Sequence, residues 1–104
     1  MSNQFDVFPN PSRRGIEERP FVVVVQSKFL NDVGTRICVP LIAERFLKPV
    51  SRLNPLFEIS KRKCYFHPVE FMTIPVRLLR SPVANLELYR DRIVAAIDLV
   101  FTGI

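Results

Sequence analysis

Pro20-Phe21-Val22-Val23-Val24-Val25-Gln26 is the stretch that decides the fold. Valine side chains pack well on a pleated surface, and four in a row leave no polar face, so residues 21–26 read as a central strand buried on both sides. Upstream, residues 4–8 alternate Phe5 and Val7 with Gln4 and Asp6, the period of a half-buried strand, and Pro9-Asn10-Pro11 stops it. Between the two lies a polar stretch, residues 12–19, that reads as an exposed loop. Downstream, Asn31-Asp32-Val33-Gly34 turns the chain into a third strand over residues 36–43, with Ile37, Val39 and Leu41 on one face and Pro40 marking an edge or a bulge. Residues 57–60 and 63–67 read as a hairpin around Lys61-Arg62, and residues 69–79 as a further extended stretch broken at Pro75. Five to seven strands, mostly antiparallel, are expected.

The period changes in the last quarter. Leu86, Tyr89, Ile93, Ala96, Ile97, Val100 and Ile104 recur at spacings of three and four, which predicts one helix from residue 86 to residue 101. Asn85 serves as its N-cap and Gly103 as its C′ stop. Glu87, Asp91, Asp98 and Thr102 form the opposite, solvent-facing stripe, with Val94 as the one apolar intruder. The fold class is therefore mostly β with one C-terminal α-helix packed on the sheet.

Composition agrees with one compact unit over residues 1–104. The chain is 48% hydrophobic and 24% charged, which argues against disorder and against a coiled coil. Nine prolines against three glycines favour short elements with many corners. The longest apolar run, residues 21–25, is far short of the about 20 residues a membrane span needs, so no membrane partner is expected. Met1-Ser2-Asn3-Gln4 opens no apolar segment of signal-peptide type, and the two cysteines suggest no disulfide framework, so a cytoplasmic location is expected.

Chemistry-bearing residues are sparse. Cys64 and His67, with Cys38 and Glu70, do not match the paired spacing of a closed zinc site, and an odd spacing along a strand turns two side chains to opposite faces, so no metal is assigned. There is no phosphate-binding glycine loop and no nucleophile motif, and the single histidine limits acid-base catalysis; neither a cofactor nor a catalytic residue is expected. Lys61, Arg62 and Lys63, together with Arg13 and Arg14, are the densest basic patches in a chain of net charge +5. They suit a solvated turn, phosphate contact or an acidic protein segment; no aromatic-interleaved or helix-turn-helix pattern points to direct, sequence-specific nucleic-acid binding. At the end of the chain Phe101 and Ile104 read either as core, or as part of a dimer interface, or as a docking tip.

Taken in order, Gln4-Phe5-Asp6-Val7, Phe21-Val22, Val25-Gln26-Ser27, Gly34, Val39-Pro40-Leu41, Val50-Ser51-Arg52, Ile74-Pro75-Val76, Val83-Ala84-Asn85-Leu86, Ile93, Ala96-Ile97, Leu99 and Phe101-Thr102-Gly103-Ile104 resemble the CcdB family of bacterial toxins from plasmid and chromosomal toxin-antitoxin modules. That resemblance spans essentially the whole chain. It implies a small antiparallel barrel-like sheet of the SH3-like type with a C-terminal helix, assembled as a homodimer. It also implies a protein that catalyses nothing itself, binds the A subunit of DNA gyrase, a topoisomerase, and traps it on cleaved DNA. An acidic, partly disordered CcdA-like antitoxin neutralises such toxins, and Arg13, Arg14, Lys61, Arg62 and Lys63 are its candidate docking residues here. Carried over position by position, the gyrase-binding residues are Phe29 and Leu30 from the loop after the second strand, and Asp98, Phe101, Thr102, Gly103 and Ile104 from the helix end. Thr102 stands where the family pattern has Trp, and Asp98 where it has Asn. The same fold superfamily contains the MazF and Kid messenger-RNA-cleaving toxins, so an endoribonuclease toxin, or a CcdB-like protein with a diverged target, are the competing readings.

Overall fold

The computed structural model describes residues 2–103. Seven strands form one antiparallel sheet: β1 (Asp6–Pro9), β2 (Phe21–Val24), β3 (Thr35–Ala43), β4 (Leu56–Ile59), β5 (Arg62–Phe66), β6 (Met72–Pro75) and β7 (Ala84–Asn85). The order β4-β5-β3-β2-β1-β7, with β6 also paired to β3, bends the sheet into a nearly closed barrel. One helix, α1 (Arg90–Phe101), follows β7.

As the valine run requires, β2 lies between β1 and β3 and is buried on both faces. Phe21 and Val23 join a core with Phe5, Val7, Val39, Leu41, Phe57, Ile59, Cys64 and Phe66, capped by Leu86, Ile93 and Ala96. Val22 and Val24 face the other way, into a smaller core with Phe8, Cys38, Ile74 and Leu79. Strand β1 begins two residues later than expected and includes Pro9, and Asp6, Val7 and Phe8 are all buried, because the barrel covers both of its faces. Phe5 just before it holds a φ of +70°, a conformation that L residues rarely adopt. Its ring is buried in the main core, and its main chain is bonded on both sides, N–H to Val24 O at 2.6 Å and C=O to Leu86 N–H at 2.9 Å, which offsets the strain.

Further expectations need correcting. Pro40 is neither at an edge nor in a bulge; it is opposite Val22 in the middle of β3. Beside it the partner of β3 changes from β6 (Thr35 to Cys38) to β5 (Leu41 to Ala43), and the Pro40 carbonyl accepts the His67 N–H at 3.2 Å. A strand residue points its nitrogen to the same side as its carbonyl, so the missing N–H falls at this fork. The β4–β5 hairpin turns on Ser60-Lys61, both at positive φ, one residue before the expected centre. Positive φ at both central residues is the two-residue geometry whose twist matches the strands.

The helix is shorter than its apolar spacing suggested. Asn85 is in β7, paired with Asp6, and its Oδ1 accepts the Glu87 N–H at 2.8 Å at the start of a 3₁₀ turn (Glu87–Tyr89), whose N-cap position is held by Leu86. The α-helix begins only at Arg90, with Tyr89 at the N-cap position and no side-chain cap. Only Ile93 and Ala96 of the helix are buried; Ile97 packs partly on the core, and Tyr89 keeps its ring 5.3 Å from Phe57. Glu87, Asp91, Asp98 and Thr102 face solvent as the opposite stripe requires.

Candidate functional site

The loop after β2 and the end of α1 converge. A 3₁₀ turn (Lys28–Leu30) opens the loop, with the Ser27 hydroxyl oxygen accepting the Phe29 N–H at 3.2 Å. Phe29 is 87% exposed and Leu30 50%. Across from them, Phe101 is 70% exposed although its ring lies 5.3 Å from that of Phe71, so burial in the protein's own core does not account for it. Between loop and helix runs an apolar groove of about 690 Å³ lined by Val25, Leu30, Ile37, Phe71, Ile97 and Phe101 among others. Ile37 has the same strand parity as Val39 and Leu41 but falls where the core ends, and contributes to this groove.

The groove thus unites Leu30 and Phe101, which are distant in sequence. Phe29, Asp98 and Thr102 are exposed outside its lining. The helix ends in a tight cluster on one carbonyl: Asp98 O accepts the Thr102 N–H at 2.7 Å, the Thr102 hydroxyl at 2.8 Å and the Gly103 N–H at 3.3 Å. Gly103 has φ +73°, the left-handed conformation of a C′ glycine, as its position predicted. Ile104 lies outside the described residues.

A second concave surface carries charge. A cleft of about 780 Å³ is lined by Arg13, Arg62 and Arg80, with Asn10 and Ser81 as further polar groups and Phe8, Ile16, Phe21 and Leu78 as apolar wall. It unites Arg13 and Arg62 and adds Arg80, an isolated cation that sequence clustering could not single out. Arg14, Lys61 and Lys63 are exposed but outside the lining.

The cysteine and histidine positions separate. Cys64 is in the main core and Cys38 in the smaller one, both as free thiols. Burial pushes the Cys38 thiol up to about 12 and raises that of Cys64, which leaves both protonated and inert at neutral pH. His67 turns instead to Asn54 (Nδ2 to Nδ1, 3.2 Å) and Glu70 (3.8 Å). Glu70 takes two hydrogen bonds from Arg19, at 2.9 and 2.8 Å, and this guanidinium holds the carboxyl below its usual range. Among the described residues no group of three or more His, Cys, Asp or Glu side chains is placed to hold a metal ion. Among the described residues no helix is long and apolar enough to cross a membrane.

Two polar residues under the loop, Gln26 and Arg36, were not singled out in the sequence, where each reads as an ordinary strand position; both are buried. Compared with protein-family models, the chain matches the one described as CcdB protein over residues 4–103.

Proposed function

Because the chain belongs to the CcdB family, and is thereby a toxin of a toxin-antitoxin system, we propose that it acts by binding the A subunit of DNA gyrase and poisoning it on cleaved DNA. The observation that carries this reading is the groove where Leu30 and Phe101 meet, since these are two of the residues that the family pattern assigns to the target. An exposed pair of phenylalanines flanking an apolar groove is the kind of patch that marks a protein interface. The toxin works by occupancy and needs no catalytic group of its own. Phe29, Leu30, Asp98, Phe101, Thr102, Gly103 and Ile104 are the proposed contacts.

The antitoxin is proposed to be an acidic, partly disordered CcdA-like chain that docks on the basic side, with Arg13 and Arg62 in the cleft and Arg14, Lys61 and Lys63 around it. Arg80 belongs with them, since its position in the same lining adds a third guanidinium for carboxylates. The toxin is proposed to be a cytoplasmic homodimer. Induced expression in bacteria tests the target: gyrase poisoning yields linearised DNA and an SOS response. Cleaved transcripts with intact DNA would instead mark an endoribonuclease and overturn the proposal.

A further inference from the structure

Gln26 sits where β2 and β3 part. Val24 still pairs with Cys38, and the Val25 N–H still reaches the Ile37 carbonyl at 3.0 Å, but the chain then leaves as the loop of residues 27–34. From there the Gln26 side chain, 6% exposed, continues the ladder in place of main chain. Its Oε1 accepts the Ile37 N–H at 3.0 Å, and its Nε2 donates to the Thr35 carbonyl at 3.1 Å and the Leu30 carbonyl at 3.1 Å. A primary amide offers the same acceptor and donor as a peptide group, so one side chain both extends the β2–β3 pairing and reaches across to Leu30.

Arg36 complements it from the start of β3. The side chain is buried at 3% exposure, and its hydrogen bonds among the described residues run to main-chain carbonyls: Ser2 at 3.1 Å, Asn31 at 3.2 Å, Val33 at 2.7 Å and Thr35 at 3.1 Å. A buried cation is costly unless its donors are satisfied, and the fan of a guanidinium can satisfy several carbonyls that converge from different directions. Three of the four carbonyls belong to residues 31–35, and the fourth belongs to the N-terminal segment. The buried charge therefore gathers the returning half of the loop, as Gln26 gathers its outgoing half.

We infer that Gln26 and Arg36 are positioning residues that hold loop 27–34 in one preformed conformation, so that Phe29 and Leu30 are presented to the target without an ordering step on binding. Phe29 itself is almost fully exposed and adds little rigidity by its own packing, so beyond the loop's local 3₁₀ turn and its Ser27 cap the order of the loop comes from beneath. A docking loop that is already ordered avoids the conformational entropy that a flexible one loses on association. The inference rests on the proposed gyrase reading for the identity of the target, but not for the state of the loop.

The test uses the full-length chain and two substitutions: Gln26→Met, which keeps the volume and removes all three hydrogen bonds, and Arg36→Lys, which keeps the charge and loses the fan. Backbone amide exchange is followed segment by segment, alongside titration against the DNA gyrase A subunit. In Gln26→Met, exchange over residues 27–34 should rise roughly ten-fold while α1 and the β4–β5 hairpin stay within about two-fold of wild type. The dissociation constant for the gyrase subunit should rise about ten-fold. Arg36→Lys should loosen the same segment and not restore it. Unchanged loop exchange in Gln26→Met, or a uniform rise throughout the molecule, would overturn the positioning role. Loosening with undiminished affinity would overturn its link to docking. If the wild type itself fails to bind the gyrase subunit, the proposed target is wrong, and the exchange pattern still decides whether the loop is held in this way.

Discussion

If gyrase is the target, as proposed, Thr102 is the residue on which the strength of the toxin turns. Its side chain is folded back on the helix end, where the hydroxyl donates to the Asp98 carbonyl, and it offers no flat aromatic face of the kind a Trp in this position could stack on a partner's cation. Loss of such an anchor costs about 2 kcal/mol or more, a factor of ~30 in affinity, so Thr102→Trp should tighten binding to the gyrase A subunit by about that factor. The position is exposed, and the Thr102 and Gly103 N–H groups would still bond to Asp98 O, so the substituted protein should melt within about 0.5 kcal/mol of wild type in stability. Calorimetric titration and a urea melt check the two halves separately. Cys38 makes the opposite kind of prediction, one of inertness. Its thiol ionises near 9.0 when unfolded but only at about 12 when buried, so the unfolded chain sheds this proton first as pH rises. Stability should therefore be constant in this respect below pH 9.0 and fall between there and about 12. Ellman's reagent should leave Cys38 untouched in the native protein at neutral pH and react with it once urea is added; fast native reaction would contradict its burial.

At the scale of the elements, the helix is held by a narrow stripe. Ile93 is fully buried among Phe5, Phe57 and Phe66, so Ile93→Ala should cost about 2–5 kcal/mol. Leu88, 91% exposed in the 3₁₀ turn before the helix, should change stability by no more than about 0.5 kcal/mol when replaced by Ala. Urea-denaturation midpoints compare them directly. The spacing of apolar residues revealed this stripe but not where the helix starts, because one 3₁₀ turn and one α turn bring Leu86 and Tyr89 to similar faces. What separates them is the pairing of Asn85 with Asp6, a contact between opposite ends of the chain. The valine run of β2 was legible because no exposed face can be drawn through it. The place of Pro40 is not legible in the sequence, because its missing N–H is tolerated at a fork in the neighbouring pairing, and that fork exists only once β5 and β6 are both in place. Gln26, Arg36 and Arg80 escaped notice for the same physical reason: the roles of polar side chains are set by which main chain or cleft they meet, and spacing carries no record of that.

For the whole molecule, the two concave surfaces divide the work. The apolar groove at the helix end is the proposed target side, and the arginine cleft the proposed antitoxin side. The homodimer proposed on the strength of the family must leave that groove open, and sedimentation at micromolar concentration should show a dimer; a monomer would contradict the assembly. Antitoxin association should weaken as salt rises, because screening acts on exposed charges such as Arg13, Arg62 and Arg80. Reversing the charge at these three positions should lower the association rate and flatten its salt dependence, and an unchanged rate would place the antitoxin elsewhere. Poisoning of gyrase by this chain is read out in a cleavage assay with purified gyrase, ATP and circular plasmid DNA. Adding the toxin should accumulate linear DNA covalently attached to the gyrase A subunit, at lower concentration for Thr102→Trp than for wild type. No linear DNA with either protein at large excess over gyrase would rule gyrase out as the poisoned target.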